Sequence, residues 1–146
     1  MRAGCENQSG VVYILVLEDK PETFNVDIMT NGEKQLLLQD LCARLPYGVN
    51  CEVFNGKYDE DMKLSPSILS FGVENIKPYL RPISSMTDDE EIGYDATFDT
   101  IYVNGHYDSV MTYKSFDWLN AHHFDCRGLI EKRLALPAPE GMYDIK

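Results

Sequence analysis

The sequence is poor in basic residues and lacks the compact motifs that mark catalysis in a short chain. Thirteen lysines and arginines face 24 aspartates and glutamates, a formal charge of −11 over 146 residues. Affinity for nucleic acid is carried mainly by cationic contacts to phosphate, so this balance argues against direct nucleic-acid binding, and the same field repels anionic lipid. Arg127, Lys132 and Arg133 form the only basic grouping, too small to offset the rest. There is no G-x-x-x-x-G-K-[ST] and no G-x-G-x-x-G, the loops whose backbone amides cradle phosphates. There is no G-x-S-x-G turn to present a nucleophilic serine.

Cysteine is sparse and unpatterned. Cys5, Cys42, Cys51 and Cys126 include no C-x-x-C pair, which excludes a zinc ribbon or a disulfide framework and suits reduced thiols in a cytoplasm. Cys42 and Cys51 sit among apolar residues, as small buried hydrophobes do. The longest apolar run, Val11–Leu17, falls far short of the ~20 residues that span a bilayer. Glu18-Asp19 follows it directly, without the small residues of a signal-peptide cleavage site. The expected location is the cytoplasm of a bacterial host cell, with no membrane association.

The residues present are those of an ordinary folded domain, 44% apolar and 25% charged. A single domain over residues 1–146 is expected, a length that buries most of its apolar surface without staples. The acidity is concentrated: residues 51–100 hold eleven acids against four bases. Such a region favours a basic partner or a cation.

Periodicity predicts an α+β fold, a small antiparallel sheet of short hairpins packed against one helix in the N-terminal half and a C-terminal helix pair. Val11–Leu17 is β-branched and aromatic and reads as a strand, with Phe24–Met29 returning. Thr30-x-x-Glu33 is a capping box that opens a helix over roughly Glu33–Leu45, with Leu37, Leu38, Leu41 and Leu45 as its apolar face. Val49–Phe54 alternates, placing Val49, Cys51 and Val53 on one side, and Asn55-Gly56 predicts a two-residue hairpin turn. Ser67–Val73 and Glu74–Tyr79 suggest short strands, and Pro78 and Pro82 an extended stretch. Thr87-Asp88-Asp89-Glu90 is a second capping box, with Gly93 expected to end its helix early. Thr97–Val103 and His106–Tyr113 flank Asn104-Gly105 as a second hairpin. Ser115 is placed as the cap of a helix carrying Phe116, Trp118 and Leu119, and Asp125 as the cap of a last helix over Leu129–Leu136.

Candidate chemistry is thin. His122 and His123, with Asp125 and Cys126, are the only cluster of metal-ligand types, and His106 stands alone in a hairpin. Neighbouring residues on a helix diverge by about 100°, so two adjacent imidazoles do not readily share one ion. The spacing favours one histidine packed at a corner and one exposed. Asp59-Glu60-Asp61 lacks the spaced ligands and central glycine of a calcium loop. No cofactor is expected. The acidic run Asp88, Asp89, Glu90 and Glu91, with Tyr94 beside it, is the candidate interaction site, since carboxylates can mimic a phosphate backbone and tyrosine favours interfaces. Tyr47, Tyr79, Tyr107 and Tyr113 are further candidates for contact surface.

Three segments carry a resemblance: Asp40–Val49 (DLCARLPYGV), Ile76–Thr87 (IKPYLRPISSMT) and Trp118–Tyr143 (WLNAHHFDCRGLIEKRLALPAPEGMY). Together, and in this order, the chain resembles a family of small uncharacterised proteins from phages and prophages of gut Bacteroidetes-type bacteria. The resemblance covers about a third of the chain and brings no catalytic residues with it. Family members carry tyrosine where this chain has Cys126, which counts against a metal role for that thiol. Residues 1–30 lie outside the resemblance, so they are expected to be an added hairpin on a family-like region 31–146, or Met29 an alternative start. The missing catalytic motifs, the acidity and the phage-like company together favour a non-enzymatic accessory protein acting by protein–protein contact, one form of which is an acidic inhibitor of a basic or nucleic-acid-binding host protein. The alternatives are a metal-dependent hydrolase or nuclease using His106, His122 and His123, and a structural or virion-associated subunit. Oligomeric state is not legible in the sequence.

Overall fold

The first helix begins where the sequence supplies a reciprocal cap. Thr30 Oγ1 accepts the Glu33 backbone N–H at 3.1 Å, and Glu33 Oε1 accepts that of Thr30 at 2.9 Å. Two of the donors that a helix start leaves unpaired are thereby satisfied. Helix α1 runs over Asn31–Arg44 in the computed structural model, which describes residues 28–143. The chain divides into two compact units, Met1–Gln35 and Leu36–Lys146. The predicted strand Val11–Leu17 and its return lie outside the described residues, apart from Ile28 and Met29, which carry no regular structure.

The buried stripe of α1 differs from the predicted one. Leu37, Asp40, Leu41 and Arg44 are buried, a spacing of three, four and seven that defines one helix face. Leu38 is 44% exposed, and Leu45 falls past the helix in a 3₁₀ turn, Leu45–Tyr47. Counting only apolar residues missed the stripe because two of its four positions are charged. Gly48, at φ 66°, then reverses the chain into the sheet.

Four strands make that sheet, in the order β2-β1-β3-β6. Strand β1 (Asn50–Phe54) pairs antiparallel with β2 (Asp59–Lys63), Cys51 opposite Met62, and with β3 (Ile76–Leu80), Cys51 opposite Pro78. Val49, Cys51 and Val53 are fully buried, as alternation predicts, and Ile76, Pro78 and Leu80 join them from β3. Each large aliphatic chain so buried contributes about 1.5–3 kcal/mol. The Asn55-Gly56 hairpin is longer than expected: β2 starts at Asp59, and Asn55 Oδ1 accepts the N–H groups of Lys57 and Tyr58. Asp59-Glu60-Asp61 is therefore strand and not loop. Ser67–Val73 forms two 3₁₀ turns, Ile68–Phe71 and the start of Val73–Asn75, where a strand was expected. Gly72 between them, at φ 94°, breaks any extended run.

Helix α2 (Asp88–Asp95) has the capping box predicted at Thr87 and Glu90. Gly93 does not end it; it lies inside, where a Cβ would sit 3.4 Å from the Trp118 ring, so its small size lets α2 approach the next helix. A hairpin follows, β4 (Asp99–Val103) with β5 (His106–Val110), forming a separate two-stranded sheet. Asn104 and Gly105, at φ 52° and 85°, give the two-residue turn that the sequence called for. Helix α3 (Tyr113–Ala121) is capped by Thr112, with Ser115 Oγ returning a bond to the Thr112 N–H. Ser115 is thus the third helical residue and not the cap.

The two helices of the C-terminal half are α2 and α3. The helix expected over Leu129–Leu136 is replaced by turns, although Asp125 does cap them, its carboxylate accepting the N–H groups of Leu129 and Ile130. Leu129 and Leu134 are both buried, and five residues of helix would set them ~140° apart. Left-handed Arg133, at φ 64°, folds the chain back so that both reach the core. Leu136–Pro137 then adds β6, parallel to β3. The outcome is an α+β fold.

Candidate interaction surface

The three histidines have separate environments. His122 ends α3, stacks on Trp118 at 3.9 Å between ring centroids, and donates through Nδ1 to the Trp118 carbonyl at 2.8 Å. His123 leaves the helix in a left-handed conformation, φ 67°, and stacks on Tyr143 at 4.0 Å. Burial, with the nearby Arg44 guanidinium, pushes its imidazole down to about 4. Neither ring is fully exposed, so the expectation of one packed and one solvated histidine is half met. Their divergence comes from the helix ending between them and not from helical rotation. His106 is on the β4–β5 hairpin, 3.4 Å from Asp108. Among the described residues no three His, Cys, Asp or Glu side chains gather as a metal site.

Cys126 is occupied elsewhere. It lies beside Asn120 Oδ1 at 3.6 Å and Arg127 Nη1 at 3.3 Å, and burial pushes its thiol up. It borders the buried polar centre that the sequence did not reveal. Asp40 accepts Arg44 Nε at 2.7 Å and Arg44 Nη2 at 3.0 Å, and Arg127 Nη1 reaches the same carboxylate at 2.8 Å. Arg44 Nη2 also donates to the Phe124 carbonyl at 2.7 Å. Asp40 and Arg44 are wholly inaccessible to solvent. The arrangement ties α1 to the segment after α3, and of the Arg44 guanidinium only Nη1 is left without a partner. The i, i+4 spacing of Asp40 and Arg44 was visible, but nothing local marks such a pair as buried rather than solvated.

Of the acidic run on α2, the four carboxylates do different work. Glu90 places Oε1 and Oε2 on Arg81 at 2.7 and 2.8 Å, and those bonds hold its carboxyl down to about 2. Arg81, itself buried, also stacks over Phe124 at 4.1 Å and donates to the His122 carbonyl. Glu90 is therefore an anchor of α2. Asp88, Asp89 and Glu91 remain exposed. Tyr94 is half-buried in an aromatic cluster, edge-on to Phe98 and tilted against Trp118, with its hydroxyl toward Met111 Sδ at 3.6 Å.

A shallow cleft of about 190 Å³ is lined by Arg81, Pro82, Ser85, Pro139, Glu140 and Tyr143. Its polar groups are largely satisfied from within: Ser85 Oγ donates to the Pro82 carbonyl, and the Tyr143 hydroxyl takes the Asn50 N–H and donates to the Tyr79 carbonyl. No helix among the described residues is long and apolar enough to cross a membrane. Comparison with family models, with curated proteins and with solved structures finds no match.

The surface that stands out is the α2–β4–β5–α3 segment. Eight of the fifteen large apolar side chains exposed among the described residues fall between Ile92 and Phe116, including Ile101, Tyr102, Val103 and Tyr107. Residues 87–117 hold eight carboxylates and one lysine. All but Glu90 are exposed. Tyr107 and Tyr113, two of the tyrosines that the sequence offers as contact surface, are both exposed here. A strand such as Asp99–Val103, apolar on both faces, usually means burial on both; only the sheet order shows that β4 and β5 stand apart.

Proposed function

We propose that this chain is a non-enzymatic accessory protein of the phage and prophage type, working in the cytoplasm by binding a basic host protein through the face formed by α2 and the β4–β5 hairpin. The observation that carries the reading is the hairpin: all its residues but Val110 are exposed. Lone two-stranded hairpins are marginal in water, and exposed apolar area of this kind marks interaction sites. The carboxylates of Asp88, Asp89 and Glu91 supply the charge that would steer a cationic partner and set its orientation. Tyr102 and Tyr107, packed edge to face at 4.8 Å, offer the rigid aromatic area typical of binding hot spots. Phosphate mimicry of a nucleic-acid backbone by the acidic face is one form this activity would take.

Affinity capture from bacterial lysate tests the reading when run with two variants. The triple charge reversal Asp88→Lys, Asp89→Lys, Glu91→Lys is expected to lose the partner that the parent chain retains. The control Glu52→Lys, on β1, is expected to keep it. A parent chain that captures nothing above a blank resin, or a triple variant that captures the same protein equally, overturns the proposal.

A further inference from the structure

We infer that the outer edge of β4 is a strand-addition site, taking an extended segment of a basic partner protein as a third strand of the β4–β5 sheet. The inference rests on the binding role proposed above and specifies how the partner is held.

The outer edges of β2 and β4 are treated differently. Strand β2, at the edge of the main sheet, reads Asp59-Glu60-Asp61-Met62-Lys63, four charges in five residues. Charged side chains are how sheet edges are protected from further pairing. Strand β4 reads Asp99-Thr100-Ile101-Tyr102-Val103, with one charge at its end, no lysine and no proline. Its composition is that of a strand meant to be paired, yet among the described residues only β5 pairs with it, on one side.

Register identifies the open groups. The two-residue turn at Asn104-Gly105 makes Val103 and His106 the closing pair, and in antiparallel pairing hydrogen-bonded and non-bonded pairs alternate. Thr100 and Tyr102 therefore direct their N–H and C=O groups away from β5. A partner backbone running along β4 meets those four groups.

Side chains define the segment that fits. Residues opposite one another share a face, so Ile101 and Val103 lie with Val110 on one side, bordered by Asp99 and Asp108. Tyr102 and Tyr107 occupy the other face. An added strand would set aliphatic side chains beside Ile101 and Val103 and a lysine or arginine beside Asp99, with Asp108 one strand further in adding to the negative field. A second copy of this chain is disfavoured because each copy carries a net charge of −11, with eight carboxylates and one lysine over residues 87–117.

The test is selection of a library of random short peptides against the full chain, followed by measurement on the enriched sequences. Strand addition predicts enriched peptides with aliphatic residues at two positions two apart and lysine or arginine at the next position of that same-face series, and slowed hydrogen exchange at the Thr100 and Tyr102 amides when they bind. Replacing Ile101 with lysine, or N-methylating alternate peptide amides, is expected to weaken binding by roughly tenfold or more, the worth of one or two lost hydrogen bonds. Peptides that bind the Ile101→Lys chain and their N-methylated forms equally well overturn the strand-addition site, while leaving the binding role in place. Enrichment of no peptide overturns it too, with the capture experiment deciding the broader role separately. Protection of Thr100 and Tyr102 that rises with protein concentration in the absence of peptide would assign the edge to a second copy and refute the inference.

Discussion

Replacing Asp40 with alanine should cost this fold a large part of its stability, although the side chain touches neither solvent nor the proposed interface. The carboxylate compensates the Arg44 guanidinium through two bonds of 2.7 and 3.0 Å and accepts Arg127 at 2.8 Å. Removal leaves Arg44 wholly inaccessible to water with only the Phe124 carbonyl and a long contact of 3.9 Å to Cys126 Sγ, since Nη1 already has no partner. Breaking a buried pair from one side costs about 3–5 kcal/mol, against a total of about 5–15 kcal/mol for a typical domain. Urea unfolding followed by circular dichroism should show that loss as a lower midpoint at unchanged slope, and thermal unfolding as a fall of roughly 10–20 °C. The double variant Asp40→Leu, Arg44→Met is the informative control. It removes both charges at similar volume and leaves the Phe124 carbonyl short of a donor, a cost of about 1–3 kcal/mol. Arg127, whose side chain is 24% exposed, can turn to water. The double variant should therefore be more stable than Asp40→Ala alone. A single variant within about 1 kcal/mol of the parent would refute the reasoning, because it would mean that the centre is hydrated and not buried.

Three further outcomes are expected. Acid should unfold the protein in two windows. His123 has a folded value of about 4 against an ordinary 6.5, so its contribution is full above pH 6.5 and is lost as pH falls toward 4. Glu90, at about 2 against 4.5, contributes fully above pH 4.5 and loses that contribution as pH falls toward 2. His123→Asn, which tolerates the left-handed backbone, should flatten the first window and Glu90→Gln the second, read from unfolding free energy against pH. Gly105→Val, forced to φ 85°, should loosen the hairpin by about 1–2 kcal/mol, seen as faster hydrogen exchange in β4 and β5 with the main sheet unchanged. Thiol labelling should find Cys42 promptly, since it is exposed, whereas Cys51, whose thiol burial pushes up to about 12, should react only on unfolding; prompt labelling of Cys51 would contradict its placement in the core.

Local chemistry was readable where a few adjacent residues settle a conformation. The caps at Thr30 and Thr87 form because serine-like oxygens and a glutamate three residues on satisfy the same helix start wherever they occur. The Asn104-Gly105 turn forms because both residues accept positive φ. Alternation placed Val49, Cys51 and Val53 in the core, but apolar neighbours in sequence suggested burial for Cys42 too, and Cys42 is exposed on the far side of α1 from its buried stripe. The acidic run was visible as a candidate surface, yet the commitment of Glu90 to Arg81 depends on a residue nine positions away in a different element.

What the sequence determined alone is therefore the α+β class, the capping boxes at Thr30 and Thr87, the Asn104-Gly105 turn and the strong negative charge. All of these follow from interactions within a turn or two of chain, or from composition. Tertiary structure decided which charges are buried and which apolar strands are not. Asp40 and Arg44 are interior because Phe124 and Arg127 arrive from eighty or more residues away, and β4 is exposed because the main sheet is built without it. Burial is set by what packs on a residue, and that neighbour is rarely encoded beside it.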